Sequence, residues 1–287
     1  MQANFDLHTH TTISDGSFTP SELVQKAIRE GLKVIAISDH DNINGIEKAK
    51  KVAENSGLKV IAGVELSVEY SPGTMHICGY FIDVKNDYLN KQLEFLQEAR
   101  RTRNPKIVEK LQQSGFKITM EEVEKKSGGK QVGRPHFATI LYEKAYVTTK
   151  QEAFDKYLDK SASCYVNKTR LTLEESIKCI REAGGVPILA HPIELKLENK
   201  DEYRKMFQAL KEKGILGVEA FTSRHLIEQN QFFFELAKEM DFLVTGGSDF
   251  HGTNKPDVEL GMFGWNLDKK INEIINEMLC FSGSFEM

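Results

Sequence analysis

Between Asp6 and Gly16 the chain reads D-L-H-T-H-T-T-I-S-D-G, which sets His8 and His10 two residues apart with Asp15 close behind. If Asn4 to His10 is a strand, residues two apart share a face, so both imidazoles can reach one ion at the strand's end. Asp15 would add an oxygen ligand from the loop that follows. A lone His-x-His is also an ordinary surface arrangement, so the metal reading depends on ligands supplied from elsewhere.

Those ligands exist. Six of the eight histidines (His8, His10, His40, His76, His191 and His251) fall on expected strands or just beyond them. With Asp15, Glu65 and Asp249 they make nine candidate ligands. One divalent ion with an open coordination position takes roughly three or four protein ligands, so the set is large enough for two or three ions. Imidazole and carboxylate without thiolate suit Mn²⁺, Fe²⁺ or Zn²⁺, and ligand type alone does not choose between them; manganese is the first expectation.

The elements that must position these residues alternate. Thr19-Pro20-Ser21-Glu22 has a capping Thr, a Pro at the first helical position and a Glu reaching back, which predicts a helix to about Arg29. Gly31 ends it, and V-I-A-I-S-D-H from Val34 to His40 reads as a strand buried on both faces. Gly45 to Asn55 is helical with Gly57 as terminator, and V-I-A-G-V-E-L-S from Val60 is a third strand carrying Glu65. Met75 to Asp83 is a fourth strand and carries His76.

The rhythm then changes. Tyr88 to Gly115 is a long charged helical stretch that Asn104-Pro105 should break or kink. Thr119 to Glu122 is a further capping box, Ser127-Gly128-Gly129 a loop, and Gly133-Arg134-Pro135-His136 opens a helix toward Tyr142. Phe154 to Tyr165 completes a mainly helical region without repeats or low complexity. Alternation returns at Thr172, a helix cap with Glu175 three residues on. V-P-I-L-A-H-P from Val186 ends in His191, G-V-E-A-F from Gly217 is the next strand, and Phe242 to Thr245 leads into Asp249 and His251. The helix from Ile227 to Met240 carries Phe232, Phe233, Phe234 and Leu236, read as core packing. A last helix near Lys269 to Leu279 precedes a short polar tail. Seven strands, most followed by a helix, favour an α/β barrel of parallel strands, closed or nearly so, in which chemistry collects at the strands' C-terminal ends. The expected organisation is a barrel over residues 1–85 and 166–287 with a helical insert over 86–165.

Length and charge set limits. A chain of 287 residues and 32.5 kDa can bury one large core with an insert. A formal charge of -4 and a pI near 6.1 give no global signature of a duplex DNA binder, though a local basic groove is compatible with both. Cys78, Cys164, Cys179 and Cys280 lack C-x-x-C spacing and suit reduced thiols. The first residues read as no secretory signal, and no run approaches the roughly 18 to 20 apolar residues that span a bilayer. The expectation is a cytoplasmic protein with no membrane partner.

The segments F-D-L-H-T-H-T-T-I-S-D-G, S-D-H-D, G-V-E, the His76 strand, L-A-H-P and G-S-D-F-H-G together resemble the motifs of the PHP (polymerase and histidinol phosphatase) family of metal-dependent phosphoesterases. The resemblance covers the chain on both sides of the insert. The G-R-P-H insert resembles the branch containing a nucleoside 3',5'-bisphosphate phosphatase and a 5'-3' exoribonuclease. It implies a distorted (β/α)7 barrel with three metals. One ion would lie on His8, His10, Glu65 and Asp249, and a second would share Glu65 with His76 and His191. A third would take Asp15, His40 and His251. No ligand position is substituted.

Clustered cations would supply hydroxide at neutral pH and screen a phosphate, so phosphoester hydrolysis is the expected chemistry. Arg134, His136, Arg224 and His225 are the candidates for binding phosphate or sugar, since Arg offers a planar fork to phosphate oxygens. His225 is also the candidate general acid. Lys168 and Arg170 could add positive charge to the site but read first as solvated linker residues, and Asp39 and Asp41 read as groups that orient ligands. The expected substrate is a small phosphorylated molecule, a nucleotide or a short single-stranded RNA. The G-R-P-H insert argues against histidinol phosphate, and the complete ligand set argues against an inactive binding module.

Overall fold

The computed structural model describes residues 2–128, 131–265 and 271–282. Seven strands form one sheet in chain order: β1 (Phe5–Asp6), β2 (Val34–Ile37), β3 (Lys59–Val68), β4 (Met75–Tyr80), β5 (Val186–Leu189), β6 (Gly217–Thr222) and β7 (Leu243–Gly247). Leu7 N donates to Gly246 O (3.3 Å) and His10 N to Phe250 O (2.9 Å), which brings β1 against β7 and makes a nearly closed barrel. The first strand is shorter than Asn4 to His10. Beyond Asp6 the backbone turns to side chains, with His8 N donating to Asp6 Oδ1 (3.1 Å) and Thr9 N to Ser38 Oγ (3.1 Å).

The expectation of parallel strands needs one correction. β4 runs antiparallel to both neighbours, Ser67 pairing with His76 and Ile77 with Leu189. The short link from Val68 to Met75 cannot carry a parallel crossover, which needs a dozen or more residues. Reversal puts the start of β4, and with it His76, at the end of the barrel where the other strands finish.

Helices α1 (Pro20–Arg29) and α2 (Ile46–Ala53) cover the first crossovers. The insert holds α3 (Asp87–Gln113), α4 (Met120–Lys126), α5 (Arg134–Glu143) and α6 (Lys150–Ala153), the last running into a π-turn over Phe154–Leu158. Then come α7 (Leu173–Glu182), α8 (Lys200–Glu212), α9 (Ile227–Glu239) and α10 (Ile271–Leu279). The capping boxes at Thr19, Thr119 and Thr172 all form. Phe233 and Leu236 are buried in the barrel core, with Phe232 and Phe234 packed against it. Lys269 as a helix start, Gly129 and the tail from 283 lie outside the described residues. No described helix is long and apolar enough to cross a membrane.

Pro105 does not end its helix. α3 is unbroken for 27 residues through it, because Pro removes one amide donor while packing on both sides holds the remaining turns. Leu89, Leu93 and Leu96 on its first half join the barrel core. Ile107, Val108 and Leu111 on its second half join a separate apolar cluster with Phe137, Leu141 and Leu158.

Between those halves α3 is tied to the barrel by charge. Arg100 Nη2 donates to Asp41 Oδ2 (2.5 Å), and Lys168, from the segment that rejoins the barrel, donates to the same oxygen and to Ser67 Oγ (3.1 Å). Lys168 is therefore not a solvated linker residue: it is 5% exposed and neutralises a fully buried carboxylate. Burial opposes ionisation of Asp41, but Lys168 and Arg100 hold its carboxyl below the usual carboxylate range. Asp41→Asn preserves the left-handed backbone at this position (φ 50°), which Asn tolerates, but leaves two cations without a buried counter-charge. Breaking such a node costs about 3–5 kcal/mol, so urea denaturation should show a correspondingly lower midpoint with an unchanged slope.

Candidate metal centre

Each of the nine expected ligands lies at one end of the barrel. His8 and His10 follow β1, Asp15 sits in the next loop, and His40 follows β2. Glu65 lies in β3, His76 at the start of β4, His191 just after β5, and Asp249 and His251 after β7. Glu65 is fully buried at the middle of the group. Its Oε2 lies 2.9 Å from His40 Nδ1, 3.2 Å from His10 Nε2 and 3.4 Å from His8 Nε2. Its Oε1 lies 2.7 Å from His76 Nδ1 and 2.9 Å from His191 Nε2. Asp249 Oδ1 is 3.2 Å from His10 Nε2, 3.4 Å from His251 Nδ1 and 3.7 Å from His8 Nε2. Asp15 Oδ1 is 3.2 Å from His251 Nε2, with His40 Nε2 3.9 Å from Asp15 Oδ2.

The donor atoms gather into overlapping groups: His8, His10 and Asp249; His8, Glu65 and His191; His40, Glu65 and His76; and His10, Asp15, His40 and His251. Within each group the atoms lie no more than 4.8 Å apart, the spacing of ligands around one ion. Compared with the sets implied by resemblance, His10 also leans toward Asp15 and His40 toward Glu65. Divalent cations fit these groups. His10 Nε2, Asp15 Oδ1, His40 Nδ1, Glu65 Oε2 and His76 Nδ1 are buried without a hydrogen-bond partner, yet face one another. Unpaired polar atoms at such depth are costly, and a shared cation satisfies them together.

Electrostatics point the same way. Burial alone would lower His10, but the carboxylates of Asp249 and Glu65, each 3.2 Å from Nε2, push it up to about 9. Burial would raise Glu65, yet His40, His76 and His8 hold it well below the usual carboxylate range. The carboxylates of this site draw positive charge toward themselves.

Three buried carboxylates outside the ligand set hold the site in shape. Asp39 accepts from Thr11 N (2.8 Å), Thr11 Oγ1 (2.7 Å) and Ser14 Oγ (2.5 Å), fixing the loop between His10 and Asp15. Asp6 accepts from His8 N, Ser248 N (2.9 Å) and Gly261 N (2.8 Å), joining the ends of β1 and β7. Glu219 on β6 contacts His8 and the backbone of His191. Asp6 and Glu219 were not singled out in the sequence, although an acidic residue inside the apolar run G-V-E-A-F is a readable signal.

Above the centre lies a cleft of about 610 Å³. Among the described residues its lining includes Asp15, His40, His76, His191 and His251, the acids Asp159 and Glu194, and nine Lys or Arg side chains, of which Arg100 and Lys168 are paired with Asp41 and Arg224 and Lys255 with Asp249. A chain of net charge -4 thus has a strongly cationic mouth. Arg134 and Arg224 line it. Arg134 donates to Leu158 O (2.9 Å) and lies over the rings of Phe154 and Tyr165. Arg224 Nε donates to Asp249 Oδ2 (2.5 Å), as does Lys255 Nζ (2.8 Å).

The other two expected substrate contacts have structural work instead. His136 Nδ1 accepts from Gly133 N (2.9 Å) and caps α5. His225 is buried, stacks near Phe233 with centroids 4.8 Å apart, and has Nδ1 against Ala220 O and Asn230 Oδ1. Burial lowers it to about 4, so it stays neutral inside the core. Neither lines the cleft. Arg100, Arg103, Lys150, Lys196 and Lys255 do, and sequence reading passed over them; Arg100 and Arg103 at i and i+3 of one helix face were the available signal.

Known proteins resemble this chain over most of its length. The model of the PHP domain matches residues 6–283. A 5'-3' exoribonuclease from Haemophilus influenzae is 33% identical over 251 residues, covering 88% of this chain and 91% of that protein. A 3',5'-nucleoside bisphosphate phosphatase from Chromobacterium violaceum is 28% identical over 260 residues, covering 90% of this chain and 91% of that one. A solved metal-dependent phosphoesterase from Bifidobacterium adolescentis superposes with a TM-score of 0.85 at 30% identity, over 98% of this chain and 97% of its own. The chain belongs to the PHP domain family.

Proposed function

We propose that this protein is a metal-dependent phosphoesterase acting on small nucleotide phosphates, namely nucleoside 3',5'-bisphosphates and the 5' ends of short single-stranded RNA. The observation that carries the reading is one cleft with two layers. Five of the nine convergent imidazole and carboxylate ligands line its floor with the other four packed beneath them, and Lys and Arg side chains form its walls. In this reading His8, His10, Asp15, His40, Glu65, His76, His191, Asp249 and His251 hold two or three divalent ions, manganese first. Ions there would supply Lewis acidity and neutralise charge on a phosphate.

The chain's own residues do the rest. The guanidinium of Arg134, held by Leu158 O, by Asp159 Oδ1 at 3.4 Å and by the rings of Phe154 and Tyr165, offers its remaining N–H groups to phosphate oxygens. Arg103, only 5% exposed, has Asn104 Oδ1 as its side-chain partner, so unlike Arg134 it can meet an anion without giving up a carboxylate. Burial and the neighbouring Arg100, Arg134 and Arg170 bring Arg103 down to about 9, a repulsion that a bound phosphate relieves. The cleft volume suits a nucleotide or a chain end, and the relatives named for RNA ends and for bisphosphates support that choice over histidinol phosphate.

Metal-reconstituted protein assayed on adenosine 3',5'-bisphosphate, a 5'-phosphorylated oligoribonucleotide and histidinol phosphate tests the substrate. The first two should turn over at least tenfold faster than the third, and preference for histidinol phosphate would reject the reading. Chelation should remove activity and Mn²⁺ should restore it. Arg134→Ala removes charge-assisted bonds worth about 1.5–3 kcal/mol, so kcat/KM for the bisphosphate should fall roughly 10- to 150-fold, while Mn²⁺ content stays constant.

A further inference from the structure

β6 is buried at every position from Gly217 to Thr222, and Glu219 is the one charged side chain in it. A carboxylate there is costly unless both oxygens are satisfied. Both are. Oε1 lies 2.9 Å from His8 Nδ1, and Oε2 accepts from His191 N at 2.8 Å. Glu219 belongs to none of the convergent ligand groups. Cys78 Sγ, at 4.0 Å from either ring nitrogen of His8, is too distant to compete for the ring.

Each contact has a chemical consequence. A carboxylate accepts only, so the bond at Nδ1 requires that nitrogen to carry a proton, which in the neutral ring that binds a metal leaves the lone pair of His8 on Nε2. Nε2 is the nitrogen that faces Glu65 and Asp249. The second contact acts on backbone. His191 sits at φ 24° and ψ 68°, a conformation L-residues rarely hold, and the bond to Glu219 keeps its amide turned inward there.

We infer that Glu219 is a positioning residue for the metal centre: one carboxylate sets the tautomer of His8 and locks the backbone that carries His191, so two strands present their ligands in one geometry. The inference rests on the metal-dependent reading above. Gln is the discriminating replacement, because it has one accepting and one donating end. If its oxygen stays with His191 N, its amide donates to His8 Nδ1 and drives the proton to Nε2, blocking the lone pair. If its oxygen turns to His8, the amide confronts the N–H of His191.

The test uses metal-free full-length protein. Mn²⁺ titrated calorimetrically into the wild type and Glu219→Gln should bind about 10- to 100-fold more weakly to the variant. The rise in Tm on adding saturating Mn²⁺ should shrink with it, while a merely structural role would lower Tm in both states equally. Nitrogen-15 imidazole spectra of the wild type alone should show His8 protonated at Nδ1. A neutral His8 protonated at Nε2 alone in the wild type would overturn the assignment even if the variant failed to fold. So would equal Mn²⁺ affinity in the two proteins. A wild type that binds no Mn²⁺ would instead overturn the metal reading and the assignment with it.

Discussion

The carboxylate of Glu65 is the constraint on which the rest of the structure depends. It is fully buried, and five imidazoles stand within 3.4 Å of its two oxygens. An isolated carboxylate at such depth would neutralise itself or unfold its surroundings. Here it survives by gathering positive charge, and the barrel delivers the donors: His8 and His10 follow β1, and His40, His76 and His191 come from β2, β4 and β5. Closure of the sheet between β1 and β7 is what lets ligands from both ends of the chain meet there.

Around that charge the protein arranges two kinds of support. Asp6, Asp39 and Glu219 hold ligand-bearing backbone and rings from below, spending their oxygens on amides, hydroxyls and one imidazole. Asp41 does the corresponding task sideways, joining α3 and the returning strand at Lys168 to the barrel. Asp41, His191 and Asp249 all adopt positive φ, so backbone strain collects at the mouth, where packing and hydrogen bonds hold it in place.

Much of this was legible in the sequence, for reasons that differ by element. His-x-His after an apolar strand, and histidines or acids closing later strands, follow from the period of a strand and the habit of barrels to work at one end. The direction of β4 was not legible, since M-H-I-C-G-Y reads alike in either orientation; only the short link before it carried the information. The partners of Lys168 and Glu219 lie 127 and 211 residues away, so no local pattern could show that one is a buried counter-ion and the other grips a ligand. His136 and His225 show the converse. Their motif was readable, but burial and backbone partners give them capping and packing work that composition does not reveal.

The reversal of β4 also explains the length of α3. Because β4 starts at the mouth and ends at the far side, the chain leaves it at the wrong end of the barrel for building a roof. It must climb back. At roughly 1.5 Å per residue, the 27 residues of α3 make a rod of about 40 Å, enough to pass the barrel wall and still root the second apolar cluster. Asn86 at its foot bonds Glu182 O at the end of α7, and Arg100 partway up reaches Asp41. The helix is therefore a ruler: adding or removing a single turn below Arg100 would move the roof by about 5 Å relative to the floor. The size of molecule the cleft admits is written in the length of a helix that begins on the opposite side of the protein.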